Sequence, residues 1–300
     1  CHAALADDRP APSQLTAFYF WVSLGGALGG LFNALVAPQL FLDVTEFPLA
    51  VAVSVAMLVR LSDLRALVRR PSLAAVPVLA GVVLGAGLLA MAALGWPLTA
   101  ATPVLAVAAV VALSVSREPA RLALAVVAML VVGGLTKPNA YGRVLERSRT
   151  FFGVYRVVQD GPAERFRTLY HGTTMHGRER TADDPPEPLA YYHRGSPVGE
   201  LLALHPERQR RVAVVGLGVG ALAAYARPGE AWTFYEIDRE VERIARDAQS
   251  FRFLSSCRGR CAVVPGDGRL TLSRSTDRYD VIVLDAFSSD AVPMHLLTTE

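Results

Sequence analysis

The stretch "RVAVVGLGVGALAAYARPGEAWTFYEID", Arg211 to Asp238, decides how the second half of this chain is read. It opens on a short β-branched run, "RVAVV", of the length and composition of a buried strand. Glycines then alternate at Gly216, Gly218 and Gly220. "ALAAYA" reads as the start of a helix, and "WTFYEID" as a second strand. Downstream, the pattern predicts a helix from Arg239 to about Gln249, a strand in "CAVVPGDG", a further helix, and a strand in "YDVIVLDAF". Strands alternating with helices imply a parallel, doubly wound sheet. Upstream, "FFGVYRVV" and "RFRTLYHG" flank "QDGPAE" and read as a β-hairpin, "ADDPPEP" as a turn-rich linker, and Pro197 to His205 as a helix.

The glycine turn has a chemical use in that context. Glycine allows close backbone approach at a positive φ, and a strand-to-helix turn offers free N–H groups to a ligand. Glu236 ends the next strand, 20 positions after Gly216, where an acid can accept hydrogen bonds from ribose hydroxyls. The spacing is G-x-G-x-G, with Ala221 where a dinucleotide fingerprint has glycine, which turns the reading away from NAD. Asp267 ends the third strand and Asp285 the fourth. Ligands of open α/β sheets bind outside the carboxyl ends of the strands, so Gly216, Gly218, Gly220, Glu236, Asp267 and Asp285 are expected around one crevice.

The first half reads differently. Of the 300 residues, 52% are hydrophobic and 19% charged, too apolar for an ordinary soluble chain. The excess lies before Thr136. Leu15 to Ala37, Leu73 to Gly95 and Pro97 to Val115 are long enough to cross a bilayer, which takes about 20 residues. Phe47 to Val59 and Leu122 to Leu135 are shorter and fit either a span or a buried helix. Gly25, Gly26, Gly29 and Gly30 are placed for close helix packing, and Asn33 for an interhelical hydrogen bond. Arg60, Arg65, Arg69 and Arg70, and later Arg117 and Arg121, favour the cytoplasmic side. Lys137, Arg143, Arg147 and Arg149 favour it too, so one short segment does not span, or is re-entrant. No ionisable residue lies mid-span in the long runs, which counts against a transporter.

The net charge of +3, with no basic aromatic-interleaved stripe, gives no sign of nucleic-acid binding. Cys1, Cys257 and Cys261 make no disulfide framework, and "CRGRC" lacks a second metal-ligand pair, so ordinary thiols are expected. The expected domains are a transmembrane region at 1–136, a juxtamembrane segment with a small β subdomain at 137–200, and a Rossmann-like domain of the class I methyltransferase type at 201–300. The chain begins without Met and stops after an active-site-like loop, so truncation is expected at the C-terminus.

"YYH" (Tyr191 to His193), "VVGLGVG", "YEID", "GDG" and "LDAFSSD", in that order, resemble the polyamine aminopropyltransferases, the spermidine synthase family, and especially bacterial proteins that fuse such a domain to membrane helices. The resemblance covers about Phe151 to Glu300. It implies that Glu236 holds the ribose of decarboxylated S-adenosylmethionine, that Asp267 contacts its adenine, that Asp285 acts on the attacking amine, and that Tyr192, His193 and Asp290 bind substrate. It implies no prosthetic group, a small amine as acceptor, and a possible homodimer; the helices imply a lipid bilayer, with the soluble domain in the cytoplasm of a multi-pass inner-membrane protein. Three departures stand out. The family's G-G-G-D-G-G aspartate, which binds the amino group of the aminopropyl chain, is here Val219. Asp290 lies five positions after Asp285 rather than three. His171 and Gly172 stand at the family's D-G, with no glutamine following at its spacing. A methyltransferase using intact S-adenosylmethionine, and a non-catalytic membrane sensor or transporter, are the alternatives.

Overall fold

The structure is a computed structural model, and it describes residues 5–6, 9–94, 102–115, 117–135, 142–204, 210–286 and 294–296. The chain divides into two compact units, Cys1–Ala140 and Tyr141–Glu300.

The first unit is helical. Helix α1 (Leu15–Leu31) continues through a wide π turn, Phe32–Val36, into a last turn, Ala37–Leu40. Then come α2 (Glu46–Ala56), α3 (Leu61–Arg69), α4 (Ala75–Ala93), α5 (Thr102–Leu113) and α6 (Pro119–Leu135). Two stretches are long and apolar enough to cross a membrane, Pro12–Leu40 and Pro71–Met91. Part of the expected third span, Pro97 to Val115, lies outside the described residues; α5 is the part described.

Close packing uses different glycines from those expected. A first side-chain carbon at Gly25, Gly26, Gly29 or Gly30 would meet nothing within 4 Å, and α1 buries no residue. Instead Gly81 and Gly85, one turn apart on α4, face α6. A carbon added at Gly81 would lie 3.1 Å from Ala128 Cβ, and one at Gly85 2.7 Å from Val132. Without side chains the two backbones approach closely, which is the physical use of small residues at this spacing. Asn33 stands exposed in the π turn and makes no side-chain hydrogen bond among the described residues, so the expected interhelical bond is not formed. Arg121 Nε donates to the Leu73 carbonyl at 2.9 Å, which places the Arg117–Arg121 turn at the same end of the unit as Arg69 and Arg70.

The second unit contains two four-stranded sheets. The first is an antiparallel meander of β1 (Arg143–Thr150), β2 (Gly153–Asp160), β3 (Phe166–His171) and β4 (Thr174–Arg180), in that order. The expected hairpin is its central pair, with Tyr155 opposite His171. Helix α7 (Pro197–Ala203) follows, its first turn capped by the Ser196 hydroxyl accepting from Gly199 N–H.

The second sheet is parallel. Its strands β5 (Arg211–Val215), β6 (Ala231–Glu236), β7 (Arg260–Pro265) and β8 (Val281–Leu284) lie in the order β7-β6-β5-β8. β6 leads into α8 (Arg239–Arg246), which buries Val241, Ile244 and Ala245 on one face, and β7 into α9 (Gly268–Arg274). The strand order reverses between β5 and β8, and such a switch point opens a crevice at the carboxyl ends of the two strands.

The expected helix after the glycines is a 3-10 turn, Ala221–Tyr225. The alanines favour helix, but Pro228 and Gly229 end the run before a full crossover helix can form. Phe234, Phe251, Phe253 and Trp232 fill the core, and Tyr155, Val157 and Leu169 of the meander join it. Glu179 of β4, fully buried, accepts from both the Nε and the backbone N–H of Arg252, at 2.6 and 2.7 Å. That charged bond ties the meander to the loop before β7.

Candidate functional site

β5 leads into Gly216, whose N–H donates to the Tyr235 carbonyl at 2.8 Å. Its φ is +104°, and a side-chain carbon here would lie 2.6 Å from the Asp285 carbonyl oxygen. Glycine is what lets β5 and β8 deliver their ends side by side. Gly218, at φ +54°, is pressed in the same way against the His176 carbonyl, 2.8 Å from such a carbon. Gly220 serves packing instead: it leads into the 3-10 turn against Leu254 and lines neither cavity described below.

Glu236 ends β6, 8% exposed, and holds the loop from beneath. Leu217 N–H donates to Oε2 at 3.0 Å and Asp238 N–H to Oε1 at 2.9 Å. Burial pushes its carboxyl upward, against the lowering effect of those two bonds. Each oxygen keeps a lone pair for a ligand hydroxyl. Asp238 caps α8 through Glu240 N–H and accepts from the Thr150 hydroxyl. Asp267 caps α9, accepting from Leu270 N–H at 3.0 Å.

Two cavities open at the carboxyl ends of the strands. One, about 290 Å³, is lined by Gly216, Gly218, Glu236, Asp267, Gly268 and Asp285, and on its meander side by Phe152, Tyr155, His171 and His176. Tyr155, His171 and His176 form a column of rings, with centroids 4.7 and 5.3 Å apart. Burial, followed by the Asp238 carboxylate, holds the Tyr155 hydroxyl well above its usual range, so it stays a neutral donor. The other cavity, about 430 Å³, is lined by apolar Met175, Val198, Leu217, Val219, Leu222 and Val283, together with Tyr192, His176 and Asp285. Gly218, Leu217, His176 and Asp285 line both.

Asp285 lies just past β8, where the cavities share their wall. Burial pushes its carboxyl from the ordinary 3.8 to about 7. The Tyr192 hydroxyl donates to its Oδ1. Tyr192 is itself held by the Tyr225 hydroxyl, which donates to the Tyr192 carbonyl at 2.6 Å. A half-buried carboxyl near 7 can be either base or acid at neutral pH.

The structure thus brings Gly216, Gly218, Glu236, Asp267, Asp285 and Tyr192 around one crevice. His193 does not join them: its side chain is exposed, it lines neither cavity, and its carbonyl accepts from Ser196 N–H in the turn into α7. Asp290 lies outside the described residues. The sequence signals neither His176, which sits on β4 among arginines, nor a site role for Tyr155 and His171, although their strands read as a hairpin. Cys257 and Cys261, expected to be free thiols, instead form a disulfide whose sulfurs pack at the edge of the core. Four residues of separation are enough once a loop rather than a helix joins them.

No protein-family model matches the chain. A polyamine aminopropyltransferase of Vibrio vulnificus (strain CMCP6) is 33% identical over 145 residues, 45% of this chain and 46% of the relative. The chain therefore spans about half the length of the curated relative it matches. Among solved structures, a probable spermidine synthase from Corynebacterium glutamicum ATCC 13032 is similar at 19% identity and a TM-score of 0.42, covering 52% of this chain and 56% of that one. A spermidine synthase from Thermotoga maritima is similar at 16% identity and a TM-score of 0.34, covering 49% and 47%. On sequence, about half of the chain is similar to a polyamine aminopropyltransferase.

Proposed function

We propose that this protein transfers an aminopropyl group from decarboxylated S-adenosylmethionine to a small amine such as putrescine, from a domain attached to membrane helices. The observation that carries the reading is Asp285: a half-buried carboxyl near pH 7, hydrogen-bonded to Tyr192, on the wall shared by two cavities. The cavity with Glu236, Asp267 and the glycines would take the nucleoside. The apolar cavity would take the amine.

The chemistry follows from that placement. An ammonium has no lone pair, so the acceptor must give a proton to Asp285 before it attacks. Its nitrogen then forms a bond to the aminopropyl carbon attached to sulfur. The carbon–sulfur bond breaks, the pair goes to sulfur, and the cationic sulfonium leaves as a neutral thioether nucleoside. Tyr192 keeps Asp285 oriented, and the apolar walls exclude competing water.

Glu236 and Asp267 would hold ribose and adenine, with no prosthetic group. Two apolar helical stretches support attachment to a bilayer, and the donor, an intracellular metabolite, places the second unit in the cytoplasm of a multi-pass inner-membrane protein; a homodimer is part of the proposal. One observation favours a second reading, methyl transfer from intact S-adenosylmethionine: Val219, 1% exposed and apolar, stands where an acid would recognise the aminopropyl ammonium. The test is turnover by the full-length protein with each donor, using putrescine and other small amines. Transfer from the decarboxylated donor that Asp285→Asn removes supports the proposal. Methyl transfer alone refutes it.

A further inference from the structure

Val219 poses a physical problem that the site answers locally. The aminopropyl chain of the proposed donor ends in an ammonium. An ammonium entering a mostly apolar cavity loses its hydration and needs a hydrogen-bond acceptor there. Val219 offers none. It packs instead against Gly177 of β4, so closely that a side-chain carbon at Gly177 would lie 2.3 Å from Val219 Cγ2. The contact puts the residue before Gly177, His176, beside the lost recognition point.

His176 has three further properties suited to that task. It lines both cavities, where a chain running from the nucleoside to the acceptor must pass. Its backbone is held in β4, and its carbonyl lies 2.8 Å from where a side-chain carbon at Gly218 would be. Its Nε2 is buried and has no hydrogen-bond partner among the described residues. A buried polar atom without a partner is uncommon in folded proteins and calls for a ligand or an ordered water. Burial, and then the neighbouring His171, lower its tendency to protonate, so at neutral pH the ring carries no charge to repel a cation. With its proton on Nδ1, the ring presents Nε2 as an acceptor.

We infer that His176 Nε2 accepts a hydrogen bond from the terminal ammonium of the transferred aminopropyl chain, replacing on β4 the carboxylate that Val219 removes from the glycine loop. This deepens the proposed function and rests on it. A neutral acceptor holds the chain by a charge-assisted hydrogen bond rather than by an ion pair. It fits a donor without a carboxylate, because an apolar wall with one neutral acceptor gives a carboxylate no cationic partner.

The experiment is calorimetry on the full-length protein with two ligands: decarboxylated S-adenosylmethionine and 5′-methylthioadenosine, which shares the nucleoside and thioether but lacks the aminopropyl chain. His176→Phe keeps a ring and removes the acceptor; His176→Gln restores one. The expected result is at least a tenfold loss of the decarboxylated donor in His176→Phe, about 1.4 kcal/mol, with methylthioadenosine within twofold of wild type and substantial recovery in His176→Gln. Unchanged methylthioadenosine binding also reports an intact fold. Equal losses for both ligands, or for neither, overturn the role of His176 while leaving the function standing. Wild-type protein that binds neither ligand overturns the function and this inference with it.

Discussion

Asp285→Asn is expected to abolish turnover and, at the same time, to stabilise the second unit in a pH-dependent way. The carboxyl is held at about 7 by burial, against an ordinary value of 3.8. Each tenfold step in acidity is worth about 1.4 kcal/mol, so ionised Asp285 costs the folded state about 4 kcal/mol, an upper figure for one site. The sign follows from proton binding. Between roughly pH 4 and 7 the folded carboxyl stays protonated while the unfolded one ionises, so the folded state binds more protons and stability falls as pH rises. Below pH 4 both forms are protonated and the penalty vanishes; above 7 it is complete. Asparagine keeps an oxygen to accept from Tyr192 but cannot ionise. Thermal unfolding followed through Trp232, which is 1% exposed in β6, should show the variant more stable at pH 8 and equal to wild type near pH 4. Transfer should fall by at least about a hundredfold, the usual scale of a lost general base. A stability difference that does not change between pH 4 and 8 would refute the raised carboxyl, whatever happens to activity.

Four further outcomes are expected. In the wild type, kcat/KM should rise from pH 5 and level off with a midpoint about 7 as Asp285 ionises; a flat profile would remove it as the titrating base. Gly218→Ala places a side chain at φ +54° and 2.8 Å from the His176 carbonyl, so it should destabilise by about 1–3 kcal/mol and weaken nucleoside binding, read by melting and calorimetry. Glu230→Ala should cost about 3–5 kcal/mol in denaturant titration, because it strands Arg210, whose Nε donates to Glu230 at 3.0 Å with both side chains buried, and also frees the donors of Trp232 and Arg227. Reduction of Cys257–Cys261 closes no long loop, and with four residues of separation should lower stability by only about 2 kcal/mol, measured by melting with and without reductant.

The parts of this molecule that were legible in the sequence are those set by backbone geometry. Alternating glycines after a β-branched run mark a strand end where the chain must approach another strand, and Gly216 against Asp285 is that approach. Glu236 and Asp267 close their strands where the spacing put them. The misses have a common cause, which is polar residues on exposed faces. β1 reads "RVLERSRT", whose arginines look like a membrane flank in sequence, although a one-sided antiparallel sheet tolerates charge on its outer face. β4, "TMHGRER", was hidden in the same way, and with it His176. Tyr192 and His193 are adjacent in sequence, but the turn into α7 sends only Tyr192 toward Asp285. No periodicity distinguishes neighbours in a 3-10 turn. The "ALAAYA" run had helix propensity, and the short link to β6 overrode it.

The proposed cytoplasmic placement has to be weighed against two features that pull the other way. The disulfide is a bond of oxidising compartments. Yet Cys257 and Cys261 already pack against the core formed by β5, β6 and α8, and the bond spans only four residues, so the fold does not depend on it. The second feature is α6, which leaves the arginine-bearing end of the helical unit and, if it crossed, would carry the second unit to the far side. Its 17 described residues make about 25 Å of helix, at the lower end of what a hydrocarbon core of about 30 Å takes. Arg143, Arg147 and Arg149 come soon after it, and their transfer across the bilayer is disfavoured. The arginines and the proposed intracellular donor therefore point the same way, and the short disulfide loop is compatible with it. Labelling of cysteines introduced on the exposed side of β8 decides the matter. If they react with an impermeant reagent in intact cells, the donor cannot reach the site and the enzymatic reading fails.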